Sequence, residues 1–280
     1  MTDVGLRRMV GLPHVTPVMA ARYRDLGVSF VDAAGNCWLE SPEIKLWVEG
    51  RRPERLAAPG EERPSRAFTP AGLRVVLALL VRPELVAGSV RELARASMVS
   101  VGAAQHARSD LHAEGFVRSV RGRNHVVEHD MLARRWLEGY VVRLVPTLRS
   151  RGCSGPEPAW WAEHGPAELA RGFLSGEAGL VMRGHGLRSA RHTVIYGTPP
   201  WEDAVRLGRL RSYVEDERRL PEVRLRELFW SPDLVEPDNP WPGSAPSLVV
   251  YADASHSGDP RVRALAEEMW DEDDDLRRLH

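Results

Sequence analysis

Residues 69–128 read TPAGLRVVLALLVRPELVAGSVRELARASMVSVGAAQHARSDLHAEGFVRSVRGRNHVVE, and the fold turns on this stretch. Thr69 then Pro70 is a cap and a first-turn proline in the expected order, and Leu73, Val76, Leu77, Leu80 and Val81 recur at helical spacing until Pro83. Ser89 caps a short helix, Val90 to Ser97, with Val90, Leu93 and Ala94 turned inward. After Met98-Val99, Ser100 caps another, whose Val101, Ala104, Ala107, Arg108 and Leu111 share one side, and Gly115 ends it. Residues 116–120, 121–124 and 125–128 follow as strand, turn and strand. Helix, helix-turn-helix and hairpin together make the pattern of a winged helix-turn-helix. The turn between the paired helices ordinarily holds a glycine, and Met98 stands there, so a left-handed backbone at that place is strained.

A winged helix-turn-helix binds duplex DNA by laying the second helix of the pair in the major groove while the hairpin touches the backbone. Capped by Ser100, that helix offers Gly102, Ala103, Gln105, His106 and Ser109. Gln105 suits adenine, His106 a guanine edge or a phosphate, and Ala103 a thymine methyl. Arg118, Arg121, Arg123 and Asn124 fall on the wing, beside phosphate or minor groove. The charge distribution agrees. Residues 66–151 hold fourteen arginines against seven acids, a balance of +7; residues 1–65 hold nine of each sign; residues 152–280 hold fifteen arginines against twenty-three acids, a balance of −8. A basic middle favours DNA, because phosphate neutralisation supplies most non-specific affinity. Lys45 is the sole lysine, so the positive charge is guanidinium, which suits bidentate contact and also follows from genome composition. The competing use of such a module is protein docking.

Upstream, residues 1–65 read as a small α+β unit: a helix, strands at 28–32 and 37–40 around an Ala33-Ala34-Gly35-Asn36 turn, and a third strand from Ile44 to Glu49. Residues 51–66 are Pro, Glu, Arg and Gly with little to bury, which marks a linker. Asp32 with Glu43-Ile44-Lys45 fits the bare spacing of a metal-dependent restriction-type nuclease, with carboxylates for Mg²⁺ and a lysine for the attacking water. The alternative is that Asp32 caps the Gly35-Asn36 turn. Downstream, residues 131–280 read as an acidic α+β domain. A helix is expected from Met131 to Leu148 through Leu132, Trp136, Tyr140, Val141 and Leu144, then a Gly/Pro-rich loop at 150–158 and a helix from Pro166 to Leu174. Strands are expected at 193–196, 225–229 and 248–251, and helices at 201–210 and 260–270. The fold class is therefore α+β in three parts, 1–65, 66–130 and 131–280.

Other chemistries find little support. The first thirty residues carry Arg7, Arg8, Arg22, Arg24 and Asp25 where a secretory signal needs an apolar run, and no stretch is long and apolar enough to span a bilayer, so a cytoplasmic protein is expected. Cys37 and Cys153 lie far apart with no CxxC, and the ten histidines form no HExxH, so neither disulfide nor metal is expected. Gly184-His185-Gly186 lacks the third glycine of a dinucleotide loop, and no Gly-x-Ser-x-Gly elbow occurs, so no cofactor and no enzyme are expected. Trp160-Trp161 reads as a packing anchor, and Asp271 to Asp275 as a solvated end or as a phosphate mimic competing for the basic segment.

Four pieces carry a resemblance. Phe30-Val31-Asp32-Ala33-Ala34-Gly35-Asn36 with Val48-Glu49-Gly50, then Arg66-Ala67-Phe68-Thr69, Arg135-Trp136-Leu137-Glu138-Gly139-Tyr140, and Val250-Tyr251-Ala252-Asp253 followed by Ser257-Gly258-Asp259-Pro260-Arg261, resemble in order the AbiEi-type antitoxins of type IV toxin–antitoxin systems. The resemblance implies a winged-helix transcriptional autorepressor whose gene accompanies a nucleotidyltransferase-like toxin, the C-terminal part serving antitoxicity. It departs where the family has two leucines after Tyr-Ala-Asp and this chain has Ala254-Ser255-His256. Operators are commonly inverted repeats, so a homodimer on its own operon is expected.

Overall fold

The computed structural model describes residues 9–12, 15, 17–25, 27–32, 34–40, 44–50, 65–155, 160–163, 172–186, 190–213, 221–235 and 240–279. The chain divides into two compact units, Met1–Arg63 and Pro64–His280. The linker stretch 51–64 lies outside the described residues.

In the first unit, strand β1 (Met9–Leu12) precedes helix α1 (Pro17–Asp25), and strands β2 (Ser29–Asp32), β3 (Cys37–Glu40) and β4 (Lys45–Val48) follow. The sheet order is β1-β2-β3-β4, with β1 parallel to β2 and the rest antiparallel. β1 is not foreseen in the sequence, because Met9 to Leu12 is too short to show an alternation. A small core of Val15, Ala20, Phe30 and Trp38 closes one face of the sheet.

The second unit opens with a 3₁₀ turn, Arg66–Phe68, and helix α2 (Pro70–Val81). The Thr69 hydroxyl accepts from Gly72 N–H at 3.3 Å, supplying the cap that the sequence implies. Helix α3 (Val90–Ala96) starts in a full capping box between Ser89 and Glu92, and helix α4 (Val101–Ala113) starts at Ser100, whose hydroxyl accepts from Ala103 N–H at 3.2 Å. Strands β5 (Val117–Val120) and β6 (Arg123–Val126) pair antiparallel. The turn between them is the two residues Arg121-Gly122, both at positive φ, rather than the four expected, so Arg123 and Asn124 belong to β6. Helix α5 (His129–Gly139) gives way at Tyr140–Leu144 to a π turn and at Val145–Thr147 to a 3₁₀ turn, in place of one helix to Leu148. Pro146 accounts for part of this, since it lacks the N–H that an α-helix would use.

Beyond α5, strands β7 (Ser150–Ser154) and β8 (Phe173–Ser175), helix α6 (Gly176–Met182), strand β9 (Thr193–Gly197), helix α7 (Glu202–Leu207), and strands β10 (Arg211–Ser212) and β11 (Val223–Glu227) build a mixed sheet in the order β10-β7-β11-β9-β8. Helices α8 (Ser247–Ser255), α9 (Pro260–Glu272) and α10 (Asp274–Arg277) complete the unit. Several expectations are corrected here. The Gly/Pro-rich 150–158 contains a strand, and Phe173-Leu174 is strand rather than the end of a helix, of which residues 164–171 lie outside the described set. Residues 248–251 are helical, since Leu248, Val249, Val250, Ala252 and Ala254 are all buried, and a helix covered all round gives the same apolar run as a buried strand. One hydrophobic core runs from Phe68 and Leu73 through Trp136 and Tyr140 to Trp230, Val250 and Trp270, while a second behind the sheet gathers Cys153, Trp160, Trp161, Ile195 and Leu225.

Candidate nucleic-acid interface

Helix α4 has two unlike sides. Ala104, Ala107 and Leu111 are fully buried against α2 and α3, whereas Gly102, Gln105, His106 and Ser109 are exposed and Ala103 is half-buried. The sequence-derived residues of this helix thus share its open face. Val101, expected with the buried set, is instead 48% exposed at the free first turn. Arg108 is half-buried and braces the helix: one guanidinium nitrogen donates to Gly88 O at 3.4 Å, another to Gln105 Oε1 at 3.2 Å. Gln105 is therefore held in place by its own helix. Between the first turns of α2 and α4 lies an open hollow of about 480 Å³, lined by Arg66, Thr69, Gly72, Ser100, Ala103 and His106.

On the hairpin, the pairs Val117↔Val126 and Ser119↔Asn124 point to the core side, where both valines are buried and Ser119 donates to Asn124 Oδ1 at 3.1 Å. Arg118↔His125 and Val120↔Arg123 form the outer face, and Arg121 stands at the tip; all three arginines are exposed. Asn124 is therefore separated from the arginines with which sequence reasoning grouped it, and His125 takes its place on their face. Met98 does adopt the left-handed conformation, at φ +51°, with its side chain 47% exposed. Two devices fix α5 behind these elements. Trp136 Nε1 donates to Leu73 O at 2.8 Å, and the Arg135 guanidinium lies 3.8 Å over the Phe68 ring while pairing with Glu114 at 2.5 Å.

The nuclease spacing is not assembled among the described residues. Asp32 is buried and accepts from Val15 N–H (2.8 Å), Asn36 N–H (2.8 Å) and Asn36 Nδ2 (2.7 Å), so it caps the turn. Lys45 pairs with Glu40 at 3.0 Å on the surface, and Glu43 lies outside the described residues. Among the described residues no group of three or more His, Cys, Asp or Glu is placed to hold a metal ion, and no helix is long and apolar enough to cross a membrane.

A polar cluster that sequence reasoning missed lies inside the second unit. The hydroxyls of Tyr140 and Tyr196 meet, and both reach the Asp253 carboxylate, at 2.9 and 3.0 Å; Ser175 reaches it at 2.7 Å and Arg226 at 2.6 Å. Burial, and then the Asp253 charge, push both phenols well above their ordinary range, so they stay protonated donors at neutral pH. Tyr140 and Asp253 each sit in a motif quoted above, 113 residues apart, and no local spacing signals their contact.

The architecture defines a mixed α+β protein in which a capped helix pair and a basic hairpin are packed into one unit with a C-terminal sheet and its helices. Residues 125–274, more than half of the chain, match the family described as transcriptional regulator, AbiEi antitoxin of type IV toxin–antitoxin systems, and the chain belongs to that family. The match starts in β6 and runs to the first turn of α10. No curated protein and no solved structure matches the chain.

Proposed function

We propose that this antitoxin-family regulator is a sequence-specific DNA-binding repressor of its own operon, with residues 66–130 as a winged helix-turn-helix and 131–280 as the antitoxin domain. The observation that supports it most is the open face of α4, where Gly102, Gln105, His106 and Ser109 stand exposed above a fully buried alanine–leucine stripe. In this reading Gln105 and His106 read base edges, Ala103 meets a thymine methyl, and Ser100 at the helix start and Arg118, Arg121 and Arg123 on the hairpin take phosphates. Asn124, on the inner side of β6, supports the wing through Ser119 rather than touching DNA. Two copies on an inverted repeat, a nucleotidyltransferase-like toxin as the protein counteracted, and a cytoplasmic site of action complete the proposal.

The test is a footprint of the purified chain on the DNA upstream of its own gene, across a salt series with competitor DNA. A discrete protected site that survives competitor is the expected result. Uniform weak protection, or none, overturns the repressor reading in favour of protein docking.

A further inference from the structure

The C-terminal sheet has one face closed and the other partly open. Cys153, Val223 and Leu225 point into the core with Trp160 and Trp161. Alternation then sends Arg224 and Arg226 of β11 to the opposite face. Register places Ser150 and Gly152 of β7 beside them and Arg211 of β10 beyond, at the edge. Tyr213 extends β10 on the same side: its N–H donates to Gly152 O at 3.1 Å, and its Cβ lies 3.5 Å from where a Cβ on Gly152 would stand. The floor between the arginines is thus made of small residues. Arg211 is exposed and Arg224 half-buried, and neither makes a hydrogen bond or ion pair among the described residues. The carboxylates nearby are already engaged: Asp253 holds Arg226 at 2.6 Å, and Glu222 accepts Gly155 N–H at 3.0 Å. In a segment whose balance is −8, this face therefore collects unpaired cations.

We propose that this open face holds a single-stranded nucleic acid by its phosphates, with Arg211, Arg224 and Arg226 as the cationic contacts and Tyr213 as a stacking surface for a base. Charge complementarity selects a polyanion, since a half-buried guanidinium beside a like charge gains most from a phosphate. Geometry selects a single strand. Arg211 and Arg224 stand two strands apart, about 10 Å, and Arg224 and Arg226 about 7 Å apart along one strand. That strip is narrower than a duplex, and an aromatic side chain among arginines over a floor of small residues is how single strands are taken by phosphate and base together. The site is separate from the α4 face, so its failure and that of the repressor reading are distinguishable.

The experiment measures anisotropy of a short labelled RNA strand, the DNA strand of the same sequence, and the corresponding duplex, all with the full chain at low salt. Arg211→Glu and Arg224→Glu each weaken single-strand binding about tenfold or more, the effect expected for a charge-assisted contact. Each also reduces the salt slope by about 0.7 for every phosphate that is no longer neutralised. Duplex affinity stays unchanged in these variants, and a preference between the RNA and DNA strands identifies the sugar. Arg211 is exposed, so Arg211→Glu decides the question if Arg224→Glu fails to fold. Single-strand affinity that survives both reversals, or that is abolished by Arg121→Ala, overturns the proposal, as does a chain that binds duplex and no single strand.

Discussion

Asp32 and Met98 show how far single residues set local structure here. Burial pushes the Asp32 carboxyl up, but hydrogen bonds from the Asn36 side chain and from the backbone N–H groups of Val15, Asn36 and Ala34 outweigh it and hold the value at about 2, against 3.8 ordinarily. Because the folded value lies below the unfolded one, this stabilisation is complete above about pH 4 and is lost as pH falls from there towards 2. Asp32→Asn turns acceptors into donors facing donors, and we expect it to cost about 2 kcal/mol at pH 7. The gap in urea midpoint between wild type and variant should be constant above pH 5 and close below pH 4; a gap that widens in acid would reverse the sign argued here. Met98 carries the opposite kind of cost. A side chain at φ +51° is strained by about 1 kcal/mol, and its 47% exposure means that removing it sacrifices little packing. Met98→Gly should therefore stabilise the second unit by roughly 0.5–1 kcal/mol, read as a rise in Tm, even though glycine gains entropy when unfolded.

At the scale of elements, the helices of residues 70–113 were legible because each carries both signals a helix needs, a capping hydroxyl at Thr69, Ser89 or Ser100 and an apolar stripe at helical spacing. The same physics explains the misreadings. α8 is buried all round and so shows no stripe, while β7 faces open space and Gly152 on one side and so shows no apolar alternation. The partners of Tyr140 come from β8, β9, β11 and α8, and such a meeting leaves no periodic trace in sequence. Of the candidate DNA site, the α4 face could be read from spacing, whereas the hairpin face could not, because its two-residue turn fixes the register that turns Asn124 inward. That difference can be measured. Gln105→Ala or His106→Ala should change which bases are preferred, at about 1–3 kcal/mol per contact. Arg121→Ala or Arg123→Ala should weaken binding to all sequences alike and lower the salt slope by about 0.9 each. Asn124→Ala should do neither, and a loss of base preference in that variant would show that the hairpin register is wrong.

For the whole molecule, the question is whether the acidic end opposes the basic middle or simply belongs to the fold. The structure ties it down. Asp273 caps α10 and pairs at 2.7 Å with Arg183, both side chains under a tenth exposed, and Arg183 also donates to Ser247 and to Ala245 O at 3.0 Å. Leu276 and Leu279 are buried in the core that reaches back to Phe68, so residues beyond 270 help close the unit that contains α4. Asp274 and Asp275 meanwhile face Arg277 and Arg278 at 3.9 and 3.2 Å, which leaves little free acid to imitate phosphate. Removing residues 271–280 would strip away packing together with charge, so loss of DNA binding after that deletion would say nothing about mimicry. Point substitutions separate the two. Asp273→Ala strands a buried guanidinium and should cost about 3–5 kcal/mol, lowering the unfolding midpoint of the whole 64–280 unit, and adding Arg183→Met should recover most of that loss. Glu272→Gln with Asp274→Asn removes exposed charge and leaves the core intact. DNA affinity at low salt should then be unchanged; a clear rise would mean that the acidic end does compete with DNA for the arginines of the hairpin.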